Sequence, residues 1–138
     1  MPLTRKNTAS SGQEAEAIAL NHLKLQGLEL LTRNYQCKTG EIDLVMKDGQ
    51  CIVFVEVRLR NHKRFASGLE TVDFRKQQKI IRTALHFLQK NKLLDASPCR
   101  FDIVSLRQGC AVSIPANAVQ TNTDQFELDW IKDAFQIS

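Results

Sequence analysis

The sequence predicts an α/β domain with a mixed central β-sheet flanked by helices. Three observations carry that prediction. An amphipathic helical stretch precedes three consecutive strand-like runs. A second amphipathic helix then leads to another strand, and a meander followed by a crossover helix calls for both antiparallel and parallel pairing. The run over residues 50–60 is apolar on both faces, with Val53, Val55 and Val57 on one side and Ile52 and Phe54 on the other, as in a central strand.

Each element has its own signal. Residues 1–10 are polar and read as a loose arm, leaving 11–138 as a single domain. Ser11 with Glu14 forms a capping box for a helix that ends near Gly27. Its apolar face is Ala15, Ile18, Ala19, His22 or Leu23, and Leu25. Leu28 to Tyr35 reads as the first strand, followed by strands over 41–47 and 50–60 with Asp48-Gly49 as the turn. Residues 61–72 form a basic loop. Asp73 caps a helix running to about Asn91, with Phe74, Gln77 or Gln78, Ile81, Ala84, Leu85 and Leu88 inward. Arg100 to Leu106 is a strand that Ala111 to Ile114 can pair with, and Asp124 caps a closing helix through Phe135.

Composition narrows the function. At 138 residues the chain can bury a real core, and its net charge of +4 permits a nucleic-acid partner without demanding one. Cys37, Cys51, Cys99 and Cys110 lack metal-finger spacing and read as reduced thiols. No run is long enough to span a bilayer, and the first residues lack a signal sequence, so the expectation is a cytoplasmic protein with no membrane partner. His22, His62 and His86 have no ligand spacing, and no serine or cysteine has a nucleophilic-triad context.

The second and third strands break the apolar rule. Gly40-Glu41-Ile42-Asp43-Leu44-Val45 and Val53-Phe54-Val55-Glu56-Val57-Arg58 each carry carboxylates where apolar residues belong. Buried carboxylates are costly unless paired, protonated or bound to a cation. With an Asp48-Gly49 turn, Asp43 faces Phe54 and Glu41 faces Glu56, which puts Asp43 and Glu56 on one face as diagonal neighbours roughly 5–8 Å apart. Two such carboxylates and a carbonyl suit magnesium, which keeps several waters. An ion-pair ladder through Arg58 and Arg60 accounts for the same pattern equally well. Asp102 reads as a structural carboxylate paired with Arg100 or a helix-borne base.

The spacing from Asp43 to Glu56-Val-Arg58 resembles the D-(spacer)-E-x-K signature of the PD-(D/E)XK nuclease superfamily. A longer ordered set resembles the YraN-type family within it, which is similar to archaeal Holliday-junction resolvases. That set is Gly12 with Glu16-Ala-Ile-Ala-Leu-Asn-His-Leu, Arg33-Asn34-Tyr35, Gly40-Glu-Ile-Asp-Leu, Val53-Phe-Val-Glu-Val, Arg75-Lys-Gln, Arg100-Phe-Asp-Ile-Val and Trp130-Ile-Lys-Asp-Ala-Phe. The resemblance implies a restriction-endonuclease-like α-β-β-β-α-β core. It implies a Mg²⁺-dependent endonuclease, with Mn²⁺ as substitute, acting on phosphodiester bonds of DNA, branched or structured DNA included. Asp43, Glu56 and the Val57 carbonyl would hold the metal. Glu16 would hold a second metal, directly or through water. A homodimer would suit two cuts on opposing strands.

One position departs from that pattern: Arg58 stands where the motif has lysine. Arginine supplies positive charge but cannot act as a base. Lys76 and Lys79 are candidates to fill the gap. The alternative is a non-catalytic or weakly active nucleic-acid-binding protein that retains the nuclease fold. In either case Arg60, Lys63, Arg64, Arg75, Lys76, Lys79 and Arg82 form the expected nucleic-acid-binding rim.

Overall fold

The computed structural model describes residues 6–60, 72–108 and 126–137, with side chains from Gly12 onward. The elements are α1 (Lys6–Leu25), β1 (Glu29–Cys37), β2 (Gly40–Asp48), β3 (Cys51–Arg60), α2 (Phe74–Lys90), β4 (Cys99–Gln108) and β5 (Phe126–Phe135). The strands form one sheet in the order β1-β2-β3-β4-β5. Only β3 and β4 pair in parallel, across the α2 crossover; the other neighbours are antiparallel. The α/β class and the α-β-β-β-α-β order expected from sequence are therefore present.

The two faces of the sheet carry separate cores. On one, Val45, Ile52, Phe54, Phe101 and Ile103 pack with Ile80, Ile81, Ala84, Phe87 and Leu88 of α2. On the other, Leu44, Met46, Val53, Val55, Val104 and Leu106 pack with Ala15, Ala19 and Leu23 of α1. The small alanines let α1 approach the sheet closely. Alternation along β3 feeds both cores, which is why both of its faces are apolar.

Several expectations need correction. Helix α1 runs from Lys6, ahead of the expected cap at Ser11, so residues 6–10 of the predicted arm are helical, and residues 1–5 lie outside the described residues. Leu25 and Phe74, placed on inward faces, are exposed at 76% and 69%; each is the terminal residue of its helix. Ile80, Thr83 and Phe87 take inward positions on α2 that the predicted stripe omitted.

The closing segment is a strand, not a helix. Phe126, Leu128 and Trp130 alternate onto the α1-side core. Strand β5 covers the edge of β4, whose Val104 and Leu106 are fully buried, and satisfies backbone groups that a helix would leave unpaired. Pairing then slips between Phe101 and Ile103, with Asp133 at a φ of 54°. Past this bulge Ala134 and Phe135 pack on the opposite, α2-side core.

Asp102 holds the bulge in place. Its buried carboxylate accepts from Trp130 Nε1 at 2.9 Å, the Asp133 amide at 2.9 Å and Arg100 Nε at 3.0 Å. Arg100 also reaches Asp48 at 3.1 Å, tying the β2–β3 turn to β4. The structural role and Arg100 pairing expected of Asp102 are both present. His62, Lys63, Arg64, Cys110, the strand expected over 111–114 and the Asp124 cap lie outside the described residues.

Candidate functional site

The β2–β3 hairpin turns one residue later than the sequence suggests. Asp48 pairs with Cys51, so Gly49 and Gln50 make the turn, with Gly49 at a φ of 64°. The partner of each β2 residue therefore moves by two: Val45 faces Phe54, and Leu44 faces Val55. A shift of two preserves the face. Asp43 and Glu56 are the next residues past the last pair, Leu44–Val55, and both line the same cleft.

At that point the sheet opens. The β2–β3 ladder ends at Leu44–Val55, while β3 continues along β4 to Arg60. Side-chain alternation in β2 also breaks at Asp43: Ile42 joins the α2-side core and Leu44 the α1-side core. Across from Asp43, Asn34 takes a φ of 51° between the Arg33–Leu44 and Tyr35–Ile42 pairs. Asp43 Oδ2 accepts the Val57 amide at 2.8 Å, so a side chain takes over from the parted ladder. A strand residue directs its N–H and C=O to the same edge. The Val57 carbonyl thus faces the same opening.

The electrostatics there are unbalanced. Burial and the neighbouring Glu56 push the Asp43 carboxyl up to about 7; the Val57 amide opposes that, and Glu16 and Glu41 add to it. Glu56, only 7% exposed, is met by Lys76 Nζ at 2.8 Å. Lys76 sits in the first turn of α2, whose start is fixed by Asp73 accepting the Lys76 amide at 2.9 Å. Asp43, Glu56, Lys76, Arg75 and Lys79 line one open cleft of about 430 Å³. Gly40, at a φ of 151°, lets the β1–β2 turn close on α2: a Cβ there would meet Thr83 Oγ1 at 3.3 Å.

Glu16 approaches from α1. Arg33 lies 4.0 Å from it, and Asn34, with its amide nitrogen turned inward, reaches both carboxylate oxygens at 3.3 Å. Arg58 is half-buried, and its Nη1 has no hydrogen-bond partner among the described residues. Arg82 is exposed farther along α2, and Arg60 ends β3. Sequence reasoning missed the Arg33–Asn34 support for Glu16, although both residues lie in the Arg33-Asn34-Tyr35 motif.

The donor set fits a hard divalent cation. Two carboxylates and a backbone carbonyl face one opening, and the carboxylates lack enough neighbouring positive charge to keep Asp43 readily ionised. No three His, Cys, Asp or Glu side chains form a cage among the described residues.

The fold and cleft define an α/β protein with an acidic pair at a strand splay, faced by a basic helix. The chain belongs to the Uncharacterised protein family UPF0102, whose profile matches residues 15–106. It is 48% identical over 127 residues to a UPF0102 protein of Stutzerimonas stutzeri, covering 92% of this chain and 95% of that one. A UPF0102 protein of Pseudomonas syringae pv. syringae is 44% identical over 133 residues, covering 96% and 98%. One from Pseudomonas aeruginosa is 41% identical over 131 residues, covering 95% and 96%. No helix among the described residues is long and apolar enough to cross a membrane.

Proposed function

We propose that this chain is a Mg²⁺-dependent endonuclease-like protein of the PD-(D/E)XK type, hydrolysing phosphodiester bonds of DNA, with branched or structured DNA as the preferred substrate. The observation that carries the reading is that Asp43 and Glu56 line one cleft just past the last β2–β3 pair, with Asp43 on the Val57 amide and Lys76 on Glu56. Asp43, Glu56 and the Val57 carbonyl would hold Mg²⁺, or Mn²⁺ in its place. A bound divalent cation lowers the pKa of water and offsets charge on the phosphoryl oxygens.

The chain's own residues do the rest. The Val57 amide orients the Asp43 carboxylate. Arg33 and Asn34 hold Glu16, whose charge acts on Asp43, and there it would serve a second cation directly or through water. Lys76 supplies the ammonium that the motif lysine would otherwise bring. With Glu56 holding a cation, Lys76 would be free to face the substrate phosphate. Arg58, with a buried nitrogen still lacking a partner, binds phosphate. Arg75 and Lys79 at the cleft mouth draw the anionic backbone in. A homodimer acting on opposing strands, in the cytoplasm, belongs to the same proposal.

A panel of labelled duplex, flap and four-way DNA tests it. Divalent-dependent cleavage by the wild type that is lost in Glu56→Gln supports the nuclease. Equal cleavage by both proteins assigns the activity to a contaminant. Binding without cleavage selects the second reading, a nucleic-acid-binding protein that keeps the fold, which Arg58 in the motif position favours.

A further inference from the structure

Helix α2 carries no acidic residue from Phe74 to Lys90. Arg75, Lys79, Arg82, His86 and Lys90 are all exposed and recur at helical spacing, so they form one continuous stripe. The stripe begins at the carboxylate cleft, where Arg75 and Lys79 contribute to the lining. By helical rise it extends about 22 Å from there. Arg75, Lys79 and Arg82 have no acidic partner among the described residues.

The far half of the stripe is braced by β1. Tyr35 Oη and His86 Nδ1 are 2.6 Å apart, and Lys90 Nζ lies 6.0 Å from the Tyr35 ring centroid. Lys38 joins the surface from the β1–β2 turn, because its neighbour Thr39 is bonded to Thr83 of α2 at 3.0 Å.

We infer that this face of α2, with Lys38 beside it, is a track for the sugar-phosphate backbone of duplex DNA leading away from the carboxylate cleft. The identity of the polyanion rests on the phosphodiester reading above. An uninterrupted row of one sign suits a partner of uniform charge, and about 22 Å matches roughly six base pairs of duplex. Single-strand binding is disfavoured because the described residues of this face offer no stacking ladder: Phe74 is the exposed aromatic of α2, and the Tyr35 ring packs edge-on against Phe87. Cations on such a track fix position and affinity, not sequence.

The test is fluorescence anisotropy of the full chain with a labelled duplex of about 20 base pairs across a salt series. EDTA prevents cleavage. Arg82→Gln and Lys90→Gln should each reduce the slope of log K against log salt by about 0.9. Each should weaken binding several-fold whatever the duplex sequence. Lys24→Gln, exposed on α1 across the sheet, should change neither. Wild-type slopes in both α2 variants overturn the track, as does a wild type that binds no duplex. Mn²⁺ binding, measured separately, reports on the carboxylate site: its absence with the slopes reduced as expected overturns the nuclease reading and leaves the track standing.

Discussion

Lys76 Nζ lies 2.8 Å from Glu56 Oε2, bringing a helix-borne ammonium onto the carboxylate of the central strand. Lys76 is 54% exposed and Glu56 8%, so the lysine can swing away while the carboxylate stays. On the proposed metal-site reading, a divalent cation and Lys76 compete for Glu56. Lys76→Met should raise Mn²⁺ affinity measured by calorimetry and lower cleavage by roughly a hundredfold. Unchanged affinity would mean that Lys76 is a bystander at the rim.

Arg58 and Lys76 offer two routes to one charge. In the Lys76→Met background, Arg58→Lys should restore most of the lost cleavage, because it places an ammonium on β3 two residues after Glu56. Single-turnover cleavage of the same duplex by the two variants measures this. Failure to rescue would show that the positions do not share a role.

Asp43 makes the metal-free protein less stable as pH rises. Its folded pKa, about 7, lies above the ordinary 3.8, so the folded state holds a proton that the unfolded state has lost. Stability is highest below the unfolded value and falls as pH climbs from about 4 through 7. Asp43→Asn keeps an acceptor for the Val57 amide and removes the charge. At pH 8 without metal it should raise the melting temperature by about 4 °C, and the gain should vanish below pH 4. A drop in melting temperature at pH 8 would contradict the assignment.

Asp102 is an anchor for β5. Asp102→Ala leaves Arg100 and the Trp130 indole without their buried acceptor and should cost about 3 kcal/mol or more. The chain has a single tryptophan, so its emission reports on β5 directly. The expected result is a red shift with a lower denaturation midpoint; unchanged emission would place the anchor elsewhere.

Local pattern made much of this legible, and long-range contact decided the remainder. The side of the sheet taken by Glu56 was readable because β3 alternates without a break, whereas the place of Asp43 depends on the break in β2. The register itself was not, since Asp48-Gly49 and Gly49-Gln50 are both acceptable turns and the choice follows from pairing with Cys51. Strand β5 carries a two-residue period in Phe126, Leu128 and Trp130, but an Asp124 cap signal competes with it. What settles the contest is the open edge of β4 and the Asp102 contact to Trp130, 28 positions apart. The break at Asn34 and Asp43 likewise depends on two strands together. Residue types nominated Lys76, but only the α2 crossover brings it to Glu56.

The most direct measurement is a Mn²⁺ titration of the full chain followed by electron paramagnetic resonance, comparing wild type with Asp43→Asn and Glu56→Gln. The expected result is saturable Mn²⁺ binding by the wild type that each substitution abolishes, with both variants still folded. A wild type that leaves Mn²⁺ free, or variants that bind it as well as the wild type, would contradict the claim that this carboxylate pair is a divalent-cation site.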